Sequence, residues 1–277
     1  YNYNYTTDTT TDTTTDTTTD TTTDTTTDTT TTTTTTICLT ALTTVNIVSS
    51  GGNKYVFNGA STYSSSNRYG LYNTTYTFKD IPKEHPMAIL NKNTSYINYS
   101  VVTNTNNPII IKVSGGETSE TNGDFYVFKD ENNYTINIGD GTFRFMRGKT
   151  YKFQADGIST THPFKIYMSG AFVNNNNSSA DGITESTNSI TITIPSNHST
   201  TAGDLYYQCG AHSSMQKNLY LFYKTVSNTT ADGSYDFYYG DVSVTVTSNF
   251  NKVSVYCYYH GYMGGNNLLE YKSSCSY

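Results

Sequence analysis

The 277-residue chain has no tryptophan, only five prolines, four cysteines, five histidines and five methionines, and its 16 lysines and arginines are outnumbered by 22 acidic residues. Each shortage excludes something. A net charge of −6 offers no basic surface to hold a phosphate backbone, so no nucleic-acid partner is expected. No run of about 18 apolar residues exists, so no membrane span is expected; the longest mixed run, Ile37 to Val48, is short and broken by threonines. Long runs of Leu, Ala, Glu and Lys are missing, which argues against helices. There is no phosphate-cradling glycine-rich loop, no nucleophile elbow and no metalloprotease histidine pair, and no two carboxylates stand out for hydrolysis. The chain does not read as an enzyme.

What is present is tyrosine, 27 of them, with abundant Thr, Ser, Asn and Gly. These favour strands and turns. Short strand patterns recur from residue 45 onward, among them Lys54–Asn58, Tyr76–Phe78, Ile109–Val113, Phe143–Met146, Phe164–Met168, Leu219–Tyr223 and Val253–Tyr256. Ile190–Ile194 and Val242–Val246 alternate with period two, and turn pairs such as Asp140-Gly141 and Asp232-Gly233 separate the patterns. Many short strands with such turns predict an all-β chain built of sandwiches.

Residues 6–36 are different. Asp8, Asp12, Asp16, Asp20, Asp24 and Asp28 recur every fourth position among threonines, and Thr31–Thr36 follow without interruption. A helix would set these like charges at i, i+4, where they repel, and Thr is a poor helix former. An extended chain puts every Asp on one face but buries nothing. Residues 1–44 are therefore expected to be a stalk or assembly segment, mucin-like if O-glycosylated. Self-association through it is the expected partner interaction, and the alternation in Tyr1–Tyr5 suits addition to a sheet edge.

The strongest signal is a repeat. Cys209-Gly210-Ala211-His212-Ser213-Ser214-Met215 and Cys257-Tyr258-Tyr259-His260-Gly261-Tyr262-Met263 each read Cys, two residues, His, two residues, Met. Each has an upstream His-Pro: His162-Pro163 and His85-Pro86. Two His, one Cys and one Met form the ligand set of a type 1 copper centre. Cys and His two residues apart leave one strand end toward the same ion. Pro after the upstream His holds that His extended and fixes its aim. The sets are His162, Cys209, His212, Met215 and His85, Cys257, His260, Met263, for up to two copper ions. Three blander readings stay open: a core cysteine beside a surface imidazole, a zinc site, and a metal-free descendant. His198, in a polar loop, reads as solvated.

Tyr76-Thr77-Phe78 precedes His85 as Tyr151-Lys152-Phe153 precedes His162, so the halves run His, His, Cys, Cys along the chain. His162 and Cys209 are 47 residues apart, His85 and Cys257 are 172 apart. The simplest arrangement is nesting: a domain at 108–223 inserted in an outer one of 45–107 plus 224–277. Sequential domains sharing strands are the rival. Cys38 and Cys275 remain, near the two ends, either bridged or as two thiols; a bridge would imply an oxidising compartment. Sequons at Asn73, Asn93, Asn98, Asn133, Asn197 and Asn228 agree with secretion.

His162-Pro163-Phe164 with Tyr207-Gln208-Cys209-Gly210-Ala211-His212-Ser213-Ser214-Met215 resembles the cupredoxin-like (blue copper) family, in particular small HPF…YxCxxHxxM domains of marine viral and environmental surface proteins. The resemblance implies two Greek-key sandwiches with the two ligand sets above. It departs after Met215, where Gln216-Lys217 replaces a frequent Gly-Gly that Met263 keeps as Gly264-Gly265. The expected function is an extracellular, cell-surface or virion-surface structural protein anchored or polymerised by its Thr/Asp tract. The alternative is a soluble electron carrier with a redox partner. A multicopper oxidase would need His-x-His pairs, which are absent.

Overall fold

The computed structural model describes residues 34–91, 95–101, 108–168, 171–172, 179–180, 183–201, 203–228 and 231–275. Among them every regular element is a strand and none is a helix. They fall into two compact units. One takes the described residues up to Asn98, with Ser227–Asp232 and Val244–Tyr277; the other takes those of Tyr99–Val226 and Gly233–Ser243.

The folded body starts earlier than residue 45. Thr35–Cys38 pairs in parallel with Asn67–Leu71, and Leu42–Ser49 pairs with both Asn53–Phe57 and Thr75–Ile81. Leu39 and Val45 are buried, and Thr43 between them is buried too, its hydroxyl donating to the Thr40 carbonyl at 2.6 Å. Apolar side chains thus recruit the end of the threonine run into a sheet. The remainder of the Thr/Asp segment, residues 1–33, lies outside the described residues. At the other boundary, Gly233–Ser243 sorts with the second unit rather than with the C-terminal segment. Phe143–Met146 and Leu219–Tyr223, expected as strands, meet only in a single parallel bridge, Phe145 with Leu221.

The two units repeat one plan, down to the register. In the first, Asn53–Phe57 pairs antiparallel with Leu42–Ser49, placing Phe57 opposite Val45, and Leu42–Ser49 pairs parallel with Thr75–Ile81, placing Thr43 opposite Phe78. In the second, Val127–Asp130 pairs antiparallel with Ile109–Gly115, placing Phe128 opposite Val113, and Ile109–Gly115 pairs parallel with Thr150–Ile158, placing Ile111 opposite Phe153. A separate ladder repeats as well. Met87–Leu90 runs antiparallel to Lys252–Cys257 with Met87 opposite Cys257. Phe164–Met168 runs antiparallel to Leu205–Cys209 with Phe164 opposite Cys209.

Without tryptophan, tyrosine and phenylalanine fill the interior. Tyr55, Tyr69, Tyr76, Tyr151 and Tyr207 are among the largest fully buried side chains. A buried phenol needs a partner for its hydroxyl. Tyr76 accepts from the Tyr72 N–H at 2.9 Å, and its counterpart Tyr151 accepts from the Met146 N–H at 2.7 Å. Tyr207 donates to the buried carboxylate of Asp124 at 2.7 Å and accepts from the Phe125 N–H at 3.0 Å. Edge-on contacts such as Phe57–Tyr69 at 4.8 Å and Tyr126–Phe164 at 5.1 Å lock these rings together. A disulfide joins Cys38 to Cys275, with Cα atoms 5.9 Å apart.

Candidate metal centres

Antiparallel pairing explains how each site is assembled. Cys209 ends its strand, and Phe164, opposite it, begins the neighbouring one, so His162 and Pro163 lie directly beyond the cysteine. Cys257 and Met87 do the same for His85 and Pro86. Backbone bonds fix the approach identically. The residue after each cysteine donates to the proline carbonyl: Gly210 to Pro163 at 2.7 Å and Tyr258 to Pro86 at 2.9 Å. Each upstream histidine N–H donates three residues back, His162 to Ser159 at 3.1 Å and His85 to Pro82 at 2.9 Å.

The result is two matching triangles. The Cys209 sulfur lies 3.7 Å from Nδ1 of His162 and 3.6 Å from Nδ1 of His212, and the two nitrogens are 3.1 Å apart. The Cys257 sulfur lies 3.8 Å from Nδ1 of His85 and 3.4 Å from Nδ1 of His260, with the nitrogens 3.2 Å apart. A triangle with sides 3.1, 3.6 and 3.7 Å has its equidistant point about 2.0 Å from each corner, and sides of 3.2, 3.4 and 3.8 Å give about 2.0 Å again. That is the length of a metal–nitrogen bond, and moving the point slightly away from the sulfur gives the roughly 2.3 Å of a metal–sulfur bond. Two Nδ1 atoms this close cannot both carry protons, so at least one imidazole in each pair offers a lone pair to the gap. Both groups can therefore hold a metal ion.

Burial is graded across each triangle: the cysteines are buried, His85 and His162 half-buried, His212 and His260 exposed. The Ala211 N–H donates to the Cys209 sulfur at 3.3 Å, which holds the sulfur against its own loop. Burial lowers the affinity of His85 for a proton, the neighbouring His260 lowers it further, and Glu84 opposes both. A histidine biased toward its neutral form is the form that binds metal.

The methionines are placed less alike than the sequence suggests. Both are buried. In the second unit Met215 closes the loop on its own cysteine, its carbonyl accepting from the Cys209 N–H at 3.0 Å while its N–H donates to His212 at 3.1 Å. In the first unit Cys257 pairs with Gly261 in a tighter hairpin, and the Met263 carbonyl accepts instead from the Tyr55 N–H at 3.1 Å. Gly261 makes that turn possible with φ of 72°.

His198 is not solvated. It is buried, its carbonyl accepts from Arg147 Nε at 2.7 Å, and its Nε2 has no hydrogen-bond partner. Arg147 in turn pairs with Asp236 and lies over the Tyr223 ring.

Sequence reasoning missed two residues. The Tyr55 hydroxyl donates to the His85 carbonyl at 2.8 Å, and the Tyr126 hydroxyl donates to the His162 carbonyl at 3.0 Å. The signal was there: Tyr-Val-Phe occurs at 55–57 and again at 126–128. It also missed Gly116, where an added Cβ would lie 2.9 Å from His162 Cβ and 3.1 Å from Tyr126 Cε1.

No protein-family model, no curated protein and no solved structure matches the chain. The site's meaning rests on its own geometry.

Proposed function

We propose that the chain is an extracellular or particle-surface structural protein made of two copper-binding, cupredoxin-like Greek-key domains, the 162/209/212 domain inserted in the 85/257/260 domain, with the Thr/Asp tract serving anchoring or polymerisation. The observation that carries the reading is the repeated Cys-His-His triangle with a bond-length gap at its centre. Copper is favoured over zinc because each cysteine run ends in a buried methionine, a soft, weak ligand that suits copper and not zinc. His162, Cys209, His212 and Met215 would hold one ion; His85, Cys257, His260 and Met263 the other. Bound copper would supply a one-electron redox couple. The protein's own part is to converge the imidazoles, bury the sulfur and hold the loops rigid. The Cys38–Cys275 disulfide supports an oxidising, extracellular setting.

The test is direct. The purified chain loaded with Cu(II) should take up two equivalents and show intense thiolate-to-copper visible absorption, and it should sediment as assemblies that disappear when residues 1–33 are deleted. A colourless protein that takes up no copper overturns the metal reading; a deletion variant that sediments unchanged overturns the assembly role.

One observation favours the alternative of a soluble electron carrier. His212 and His260 reach solvent while their partner sulfurs are buried, which gives electrons an edge through which to leave. Reversible cycling without sedimentation would select it.

A further inference from the structure

The metal centres use none of the Asn-x-Ser/Thr sequons. Asn93 lies outside the described residues, and Asn98 sits inside the strand Ile97–Val101. Asn73, Asn133, Asn197 and Asn228 sort by what the fold asks of them. Asn228 is half-buried and committed at both ends: its Nδ2 donates to the Tyr262 hydroxyl, and its Oδ1 accepts from the Ala231 N–H at 2.9 Å. Asn73 and Asn197 are exposed, but the fold uses the hydroxyl two residues on. The Thr75 hydroxyl meets that of Thr245 at 3.0 Å, and the Ser199 hydroxyl accepts from the Thr201 N–H at 3.0 Å.

Asn133 differs at each point. It lies exposed in the hairpin turn between Val127–Asp130 and Thr135–Ile136. The turn is tied from below, where the Asp130 carboxylate accepts from the N–H groups of Asn132 and Tyr134, both at 2.9 Å. Oδ1 of Asn133 accepts from Lys112 Nζ at 2.6 Å, while its Nδ2 has no hydrogen-bond partner among the described residues. The exposed Thr135 hydroxyl has none there either. Between them Tyr134 is 71% exposed. The φ of 66° at Asn133 accounts for an asparagine, which tolerates the left-handed region. It asks neither for a threonine two residues on nor for an aromatic ring held out in water.

We propose that Asn133 is an N-glycosylation site and that Asn228, with the same sequon pattern, is not. This rests on the extracellular part of the proposed function and is independent of copper. In the transfer, Nδ2 of Asn133 bonds to the anomeric carbon of an oligosaccharide carried on a lipid pyrophosphate. The bond from that carbon to the phosphate oxygen breaks, Nδ2 gives up one proton, and the lipid pyrophosphate leaves. Oδ1 stays an acceptor, so Lys112 keeps its bond and holds the linkage at the turn. The Tyr134 ring, apolar in body, gives the first sugar a face to pack on. At Asn228 the same sugar would have to displace Tyr262.

The test uses the full chain, produced behind a secretion leader in a glycosylating eukaryotic cell. Amidase release of N-glycans in heavy-oxygen water marks each former attachment site as a labelled Asp, and peptide mapping reads the positions. Asn133 should be labelled in most molecules and Asn228 in almost none. Asn133→Gln should remove one glycan, seen as one step in gel mobility. Thr135→Ala should remove the same step while keeping the asparagine the turn needs, which covers a failure of the first variant to fold. The same digest reports whether Cys38 and Cys275 are joined. A joined pair with Asn133 bare overturns the glycan and leaves the extracellular reading standing; an open pair in the secreted chain overturns that reading and this proposal with it. Asn228 labelled as heavily as Asn133 overturns the sorting by the fold.

Discussion

The Cys257 sulfur lies 3.8 Å from Nδ1 of His85, a residue 172 positions earlier in the chain. The corresponding pair in the other unit, Cys209 and His162, is 47 positions apart and meets at 3.7 Å. Loop closure costs only a logarithm of length, so the longer separation is a small penalty against two ordered sheets. The two centres should therefore load independently. Cys257→Ser and Cys209→Ser should each remove one copper equivalent, and the double variant both. Metal analysis after desalting reads the count, and loss of both ions from either single variant would contradict independence.

The triangles were legible because ligand chemistry writes itself as spacing: a Cys-x-x-His run and a His-Pro are local, and strand pairing brings them together. The parallel registers of the two units were half legible, through Tyr76-Thr77-Phe78 and Tyr151-Lys152-Phe153, now seen opposite Thr43 and Ile111 within matching ladders. Three things were hidden. The strand at Thr35–Cys38 starts with the last two residues of a threonine run whose pattern says tail; only its pairing with Asn67–Leu71 makes it a strand. His198 sits among polar residues that suggest solvent, and only the partnership of Arg147 with its carbonyl takes it inside. The methionine loops share a spacing yet close differently, because Gly261 permits a turn that the 210–215 loop does not make.

Tyr207 and Asp124 form a buried pair at 2.7 Å, and the carboxylate also accepts from the N–H groups of Ile138 at 2.8 Å and Gly139 at 2.9 Å. Burial raises the Asp124 pKa and these bonds restrain the rise. Tyr207→Phe leaves a buried carboxylate oxygen short of a donor. It should cost about 1–3 kcal/mol of stability, read from urea unfolding of the second unit. A change below a few tenths of that would mean water replaces the phenol.

Gly116 combines φ of 112° with a Cβ direction that ends 2.9 Å from His162 Cβ. Gly116→Ala should cost about 1–3 kcal/mol through backbone strain alone and displace His162. Copper titration should show weakened uptake at the second centre and unchanged uptake at the first. Equal weakening at both would break the assignment of Gly116 to the 162/209/212 site.

The Cys38–Cys275 bridge closes a loop across a sequence separation of 237. On chain entropy such a loop contributes about 5 kcal/mol by restricting the unfolded chain. Replacing both cysteines by Ala should lower the thermal midpoint of the first unit and leave copper stoichiometry alone, since Cys209 and Cys257 are separate thiols. Calorimetry with and without the bridge reads the difference. A midpoint unmoved by the loss would show that pairing of Thr35–Cys38 with its neighbour already fixes that end.

His198 supplies a pH signature of known sign. Burial and the Arg147 guanidinium lower its proton affinity and Asp204 partly offsets them, so the folded chain takes up this proton at lower pH than the unfolded chain. The unfolded chain titrates this group at about 6.5, so as pH falls through that value the unfolded state binds more of this proton than the folded state does. Stability should fall as pH drops from about 7 toward 5, by at most about 1.4 kcal/mol per pH unit from this one group. His85, lowered in the same direction, adds to the slope, whereas Asp236 and Asp124, raised in the fold, act oppositely at lower pH. The difference between wild type and His198→Gln isolates the group. Urea unfolding at pH 7 and pH 5 should show the wild type losing more stability than the variant over that interval, and equal losses would mean His198 takes up its proton inside the fold, with the Arg147–Asp236 pair opening to admit it.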